Sequence, residues 1–269
     1  MSSPRDVLDR TAPPPDTTVR YGPLPEHVAD VRWPSSRPDE PAPLVVVVHG
    51  GFWRAEFDRT HTGPQCAGLA DDGYAVAAIE YRRTGMPGGG YPGTLEDVAT
   101  ALERVPGLVA EAAGRAGVAV DTARTVLLGH SAGGHLVAWA AGQATTAATA
   151  AISLGGVLDL AQAAALGLDP GEGGSAVEAL LGGGPADVPE RYAACDPAAL
   201  GRPLIPVTAL HGADDDVVPA ALSLSYADRT GQEVVVLPGI EHFGLIDPQS
   251  PAWPVVLQHL AHASGRTGR

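Results

Sequence analysis

Residues 125–133 read TVLLGHSAG, and this stretch with its flanks decides the fold class. The apolar run 125–129 predicts a buried strand, and residues 133–143 predict the helix that follows it. Between them, the pattern G-x-S-x-G places Ser131 on a sharp strand-to-helix turn, where the backbone is strained and the hydroxyl is exposed. The small residues around the serine allow the two backbones to approach closely. The motif and its context therefore predict a nucleophilic serine.

The remainder of the chain alternates short apolar runs with helical patterns. Such alternation predicts an α/β fold, with a mostly parallel central sheet covered by helices on both faces. We expect residues 1–20 to form a flexible N-terminal arm and residues 21–269 a single domain, with residues 155–201 as a small cap or lid-like excursion. Further strands are predicted at 28–33, 44–49, 74–81, 148–154, 204–210 and 233–237, and helices at 94–113, 159–166, 175–181 and 251–263.

Composition excludes several classes of function. The 269 residues carry 17 basic and 31 acidic side chains, a formal charge of −14, which disfavours a nucleic-acid partner. Lysine is absent, which excludes Schiff-base chemistry and a Ser-Lys dyad. No apolar run is long enough to span a bilayer, and Cys66 and Cys195 do not make a disulfide framework. We expect a cytoplasmic protein without a membrane partner.

A serine nucleophile needs a base and an acid further along the chain. His242, in the sequence GIEHF just after the last predicted strand, lies where the order Ser, acid, His places the base. The acid is expected from the loop HGADDDVVP, where repulsion leaves most of three adjacent aspartates in solvent. Asp215 is the first choice and Asp214 the next, with Asp216 in solvent. Asp159, after the preceding strand, is the rival location.

The loop after the strand 44–49 reads HGGFW and supplies the expected oxyanion hole. Its glycines allow the backbone to turn its amides towards the serine, and the amides of Gly51 and Phe52 are the expected donors. Ala132 supplies the amide after the nucleophile. Phe52, Trp53 and His130 are expected to line the substrate site, although Trp53 is equally consistent with packing in the core.

Together HGGFW, GHSAGG, HGADDDVVP and EHF resemble the α/β-hydrolase superfamily, from about Tyr21 to the C-terminus. HGGFWR, with YGP at residues 21–23, is similar to kynurenine formamidases and related small esterases. The resemblance implies the α/β-hydrolase fold and a bulky aromatic residue after the two glycines of the oxyanion loop.

The leading hypothesis is hydrolysis of a small carboxylic ester or amide through an acyl-enzyme, by Ser131, His242 and Asp215. Cleavage of an N-formyl-arylamine is its sharpest form, and a generic carboxylesterase is comparably supported. No cofactor or metal is expected, and the expected partner is a small-molecule ester or amide. The alternatives are a natural-product thioesterase or cyclase on the same triad, and a non-catalytic ligand receptor of this fold. The sequence does not indicate the oligomeric state.

Overall fold

A computed structural model describes residues 5–36, 40–144, 146–171 and 174–266. Within these residues one sheet of eight strands forms the centre of the molecule. The strands are β1 (Thr17–Arg20), β2 (Val28–Arg32), β3 (Ala42–Val48), β4 (Ala75–Ile79), β5 (Val120–His130), β6 (Ala150–Leu154), β7 (Val207–Gly212) and β8 (Glu233–Leu237).

The strand order is β1-β2-β4-β3-β5-β6-β7-β8. The first two strands pair antiparallel, β2 pairs antiparallel with β4, and the pairs from β4 to β8 are parallel. Parallel strands need covering on both faces, and β3 is buried along its whole length. Leu44, Val46 and Val48 pack into one core, while Val45 and Val47 pack into the other. The predicted α/β fold is confirmed.

Helices cover the two faces of this sheet. They are α1 (Asp6–Asp9), α2 (Gly63–Asp71), α3 (Gly93–Ala116), α4 (Ala132–Ala140), α5 (Leu160–Ala165), α6 (Ala176–Leu181), α7 (Pro189–Cys195), α8 (Pro197–Leu200), α9 (Ala221–Thr230) and α10 (Trp253–Ala263). Two short 3₁₀ helices are also present. One, Arg59–Thr62, follows the predicted oxyanion loop, and the other, His242–Leu245, begins with the predicted base. Among the described residues, no helix combines the length and the apolar character needed to cross a bilayer.

The N-terminal segment packs more closely than the sequence pattern indicated. Residues 1–4 lie outside the described residues, but α1 buries Val7 in a core, with 1% of the residue exposed. Arg10 forms two hydrogen bonds of 2.5 and 2.9 Å with the carboxylate of Asp247. The flexible arm stays a prediction for residues 1–4, whereas the described part of the segment is attached to the domain.

Thr94 followed three residues later by Asp97 is a sequence pattern that predicts an N-terminal cap for α3, and this prediction is wrong. The helix begins at Gly93, and no side chain caps it. Thr94 instead donates from Oγ1 to the backbone oxygen of Arg82. The carboxylate of Asp97 is 2% exposed and accepts hydrogen bonds from Arg82 and His27. These side chains join α3 to the edge of the sheet and do not terminate the helix.

Candidate active site

Ser131 lies on a strained turn between β5 and α4. Its φ of 55° is in the left-handed region, which a residue with a Cβ rarely adopts. The turn is possible because its neighbours lack side chains. A Cβ on Gly129 would lie 2.1 Å from the Gly133 oxygen, and one on Gly133 would lie 2.0 Å from the Val48 oxygen. Ser131 is 3% exposed and lines a cavity at the carboxyl end of β5, so the turn has the geometry expected of a nucleophile elbow.

His242 and Asp215 form a buried pair beside that turn. The Nδ1 of His242 lies 2.6 Å from the Oδ2 of Asp215, and the two side chains are 2% and 0% exposed. The other carboxylate oxygen, Oδ1, accepts from the amides of Val217 and Val218 at 2.9 and 2.8 Å. Because the carboxylate can only accept, Nδ1 of His242 carries the proton and Nε2 is left with its lone pair. An imidazole in this tautomer can act as a general base.

The other candidate acids do not contact His242. Asp214 and Asp216 are exposed, as expected for a solvated turn. Asp159 caps α5, where its Oδ1 accepts from the amide of Gln162 at 2.9 Å. Its Oδ2 accepts from the hydroxyl of Ser225 at 2.6 Å. The carboxylate of Asp159 is therefore already engaged in a structural role.

A second histidine, His211, also contacts Asp215. Its Nε2 lies 2.8 Å from the Val218 oxygen and 3.3 Å from Oδ2 of Asp215. Burial alone raises the pKa of Asp215, but hydrogen bonds from His211 and His242 outweigh it and hold that pKa below its ordinary value. A histidine before a glycine at the end of a predicted strand usually packs in a loop, so the sequence pattern alone does not mark His211. Its position at the end of β7, four residues before Asp215, was the available signal.

Gly155 allows Asp215 and His242 to approach each other. A Cβ at this position would lie 3.2 Å from both Oδ2 of Asp215 and Nδ1 of His242. Gly155 also has a φ of 55°, so any side chain would add backbone strain to crowding. Sequence analysis did not single out this glycine, which follows β6 and separates that strand from the pair.

The loop after β3 adopts the conformation expected of an oxyanion loop. Gly51, Phe52 and Trp53 have φ values of 110°, 49° and 55°, so three successive residues are left-handed. Within the described part of the chain, the amides of Gly51, Phe52 and Ala132 donate to no other protein group. A Cβ on Gly50 would lie 3.0 Å from the Cβ of Ser131, so the loop passes directly beside the serine. These amides can serve an oxyanion.

The structure contradicts the placement of Trp53 in the substrate site. Only 1% of Trp53 is exposed, and its ring packs edge-on against His135 at a centroid distance of 5.2 Å. Phe52, in contrast, lines the open cavity in front of Ser131. The two residues follow the same glycines, but only the Phe52 ring faces the cavity; the Trp53 ring supports the loop from the core.

His130, the residue before Ser131, packs against His242. Its Nε2 donates to the backbone oxygen of His242 at 3.1 Å, and the two rings are 4.5 Å apart. Burial, and then the nearby His242, hold the pKa of His130 well below its ordinary value. The ring is therefore neutral. His130 lines the cavity, as expected, and it also ties the nucleophile turn to the loop that carries the base.

One cavity of about 760 Å³ brings these loops together. Its wall includes residues that sequence reasoning did not place there, among them Arg5, Leu8 and Asp9 from the N-terminal segment and His61 after the oxyanion loop. Arg54 also lines the cavity and forms an ion pair with Asp169 of the predicted cap, with Nε and Oδ2 2.6 Å apart. Such long-range pairs leave no local pattern in the sequence.

Solved structures share this architecture. A truncated form of a carbohydrate esterase from gut microbiota superimposes with a TM-score of 0.77 at 20% identity, covering 94% of this chain and 100% of that chain. Esterase B from Lactobacillus rhamnosis gives a TM-score of 0.75 at 19% identity, covering 97% and 90% of the two chains. At these identities the likeness establishes the α/β-hydrolase fold.

Sequence comparison adds a curated relative and a family. A non-reducing polyketide synthase, stbA, from Stachybotrys bisbyi is 28% identical over 130 residues. The match covers 46% of this chain and only 6% of the synthase, so the chain spans a small part of that protein. The family model BD-FAE matches residues 29–229, from β2 to the end of α9. The chain belongs to the BD-FAE family of α/β-hydrolases.

Proposed function

We propose that this chain is a serine esterase that cleaves small carboxylic esters through an acyl-enzyme. The observation that carries the proposal is the convergence of the strained Ser131 turn and the His242–Asp215 pair on one cavity. The esterases among the structural neighbours support the same class of reaction.

In the proposed mechanism Ser131 Oγ attacks the carbonyl carbon and His242 Nε2 takes the hydroxyl proton. Asp215 holds the ring in the required tautomer and stabilises the imidazolium that forms. The amides of Gly51, Phe52 and Ala132 stabilise the negative charge on the carbonyl oxygen. His242 then protonates the leaving alcohol, and the same residues activate water to hydrolyse the acyl-enzyme.

The cavity favours a substrate with an aromatic or planar apolar group. The chain contains three phenylalanines, and all three, Phe52, Phe57 and Phe243, line the cavity. Phe57 remains 42% exposed, so its ring is accessible to a ligand in the cavity. Stacked or edge-on contacts between rings add to the free energy of burial. An aryl leaving group, as in aryl esters or N-formyl-arylamines, suits this wall.

Active-site labelling and a substrate panel test the proposal. A fluorophosphonate probe should label the wild-type protein and fail to label Ser131→Ala, whose kcat should fall by several orders of magnitude. Aryl acetates, alkyl acetates of equal size, N-formylkynurenine and an N-acetylcysteamine thioester should be compared by kcat/KM. Labelling of Ser131→Ala would overturn the nucleophile assignment. A preference for the thioester would instead assign the thioesterase alternative, and one for the formamide the arylformamidase activity.

A further inference from the structure

Behind the oxyanion loop lies a buried ion pair that the mechanism above does not use. His49, the last residue before the two glycines, is 0% exposed, and its Nε2 lies 2.9 Å from Oε1 of Glu80. Glu80, the residue after β4, is 3% exposed. Burial raises the pKa of Glu80, but the hydrogen bond from His49 and further donors hold it below its ordinary value. Glu80 is therefore a buried carboxylate.

The second ring nitrogen of His49 also faces an acceptor. Its Nδ1 lies 2.8 Å from the backbone oxygen of Gly50, and a carbonyl oxygen can only accept. Both ring nitrogens are thus directed at acceptors, and both bonds form only when each nitrogen carries a proton. The ring of Tyr81 stacks on this imidazole at 4.3 Å, and its hydroxyl donates to the His49 oxygen. The geometry requires an imidazolium, whose charge Glu80 balances.

Charges around the pair are consistent with this state. Arg59 and Arg83 approach Glu80 at 3.7 and 3.4 Å and share its negative charge. Burial, and then the electrostatic effect of His49, lower the pKa of the neighbouring His61 to about 4, so His61 stays neutral. His49 also contributes to a lowered pKa at Asp58, where hydrogen bonds from Thr60 outweigh the effect of burial. His49 therefore lies among acidic groups and beside a neutral histidine.

The bond from His49 to Gly50 determines where the next amide points. In a planar trans peptide the carbonyl oxygen and the following N–H point in opposite directions. Holding the Gly50 oxygen towards His49 therefore directs the Gly51 N–H away from His49. The adjacent glycines would otherwise allow this peptide to rotate at little cost. Gly51 is one of the proposed oxyanion donors, so the orientation of its amide matters to the reaction.

We infer that His49, kept as an imidazolium by Glu80, is a positioning residue that fixes the Gly50–Gly51 peptide with its amide presented to the oxyanion. The inference rests on the proposed esterase function, because the oxyanion exists only in that reaction. The protonation state of His49 does not depend on that function and can be measured separately.

The first test measures the protonation of the ring in the wild-type protein. Long-range ¹H–¹⁵N spectra of protein labelled with ¹⁵N-histidine, assigned with His49→Gln, should show both His49 nitrogens protonated at pH 7. A single protonated nitrogen would overturn the inference whatever the enzyme hydrolyses. This arm requires no substrate, so it remains informative if Ser131 is not the nucleophile.

The second test is Glu80→Gln. Oε2 accepts from the Arg59 amide at 3.1 Å, but Oε1 has more donors, since it accepts from the Tyr81 amide at 3.0 Å, faces His49 and lies beside Arg83. The glutamine oxygen should therefore take the Oε1 position, with its NH₂ group displacing the Arg59 amide. The ring then loses its counter-charge, keeps one proton on Nε2, and turns a lone pair from Nδ1 towards the Gly50 oxygen. Loss of one oxyanion donor typically lowers kcat by about 10²–10³-fold. We expect such a fall in kcat, with KM changed less than about threefold, because the contacts that bind substrate and transition state equally are retained.

A matched control separates positioning from stability. Asp97 is another buried carboxylate bonded to a buried histidine, with Oδ1 2.9 Å from Nε2 of His27, and neither residue lines the cavity. Asp97→Asn should therefore lower the melting temperature as Glu80→Gln does and retain wild-type kcat. A trifluoromethyl ketone, which forms a tetrahedral oxyanion on the serine, should lose affinity in Glu80→Gln in parallel with kcat. Unchanged affinity, or an equal loss of kcat in Asp97→Asn, would overturn the inference.

Discussion

Replacing Asp215 with asparagine tests its proposed role as the acid, because the structure gives the hydrogen-bond partners of each carboxylate oxygen. Both carboxylate oxygens accept hydrogen bonds, Oδ1 from the amides of Val217 and Val218 and Oδ2 from His242. Asparagine keeps the volume but has one oxygen and one NH₂ group. The two backbone amides can only donate hydrogen bonds, so the asparagine oxygen must take the Oδ1 position. Its NH₂ group then faces His242.

The consequence is a change of tautomer at the base. Nδ1 of His242 now meets a donor and becomes an acceptor, so the ring proton moves to Nε2, the nitrogen that should receive the proton of Ser131. In a serine protease the equivalent substitution lowers kcat by about 10⁴-fold. At about 1.36 kcal/mol per tenfold change, this corresponds to about 5.4 kcal/mol of transition-state stabilisation. We expect a similar loss here, because the asparagine orientation is fixed by two amides.

The assay compares kcat for an activated aryl acetate in Asp215→Asn, Asp214→Asn and Asp159→Asn. Asp214 is exposed and controls for the change in charge, while Asp159 is a buried carboxylate with a capping role and controls for stability. Both controls should stay within about tenfold of the wild-type rate. A fall of less than tenfold in Asp215→Asn, or a larger loss in Asp159→Asn, would refute the assignment.

Two further predictions concern the loop and the N-terminal segment. Phe52→Ala should widen the range of acyl or leaving groups accepted, as measured by kcat/KM over a substrate panel. Trp53→Ala should leave that range unchanged and lower the free energy of unfolding by about 3–5 kcal/mol, as measured in denaturant melts. The opposite pattern would contradict the placement of Phe52 on the cavity wall and of Trp53 in the core. Arg10→Gln should lower stability at pH 7 by less than about 1 kcal/mol, because its pair with Asp247 is partly exposed. The hydrogen bond from Arg10 lowers the pKa of Asp247, so this contribution is present above the ordinary carboxyl pKa of about 3.9 and is lost as the pH falls below it. A pH-independent difference between wild type and Arg10→Gln in urea melts would refute the ion pair.

The sequence predicted what depends on local pattern and chain order. The alternation of apolar runs with helical patterns predicted a parallel sheet covered on both faces, and the small residues around Ser131 predicted a turn where two backbones approach closely. What it could not predict depends on contacts between distant residues. Arg10 and Asp247 are 237 positions apart, and Arg54 and Asp169 are 115 apart. Neither pair belongs to a periodic pattern or a motif, so the sequence did not predict how the N-terminal segment and the predicted cap attach to the domain.

The histidines show why a residue type is harder to interpret than a motif. Six of the nine histidines are buried, and four of these six direct a ring nitrogen at a backbone oxygen: His49 at Gly50, His130 at His242, His135 at Cys195 and His211 at Val218. Irregular loops leave such oxygens unpaired, and a buried carbonyl without a donor is costly. A neutral imidazole, as in His130 and His135, satisfies one without burying a net charge.

Lysine and asparagine, which elsewhere donate to loop carbonyls, are absent from this chain. Histidine therefore serves at least two purposes here, as the base at His242 and as a backbone donor at the loops around it. The distinction rests on the second ring nitrogen. In His242 the Nδ1–H donates a hydrogen bond to a carboxylate, and Nε2 is left free to accept. In His49 both nitrogens are engaged by acceptors, which leaves no lone pair for proton transfer. The partner of each nitrogen, and not the position of the residue in the sequence, decides which histidine is able to act as a base.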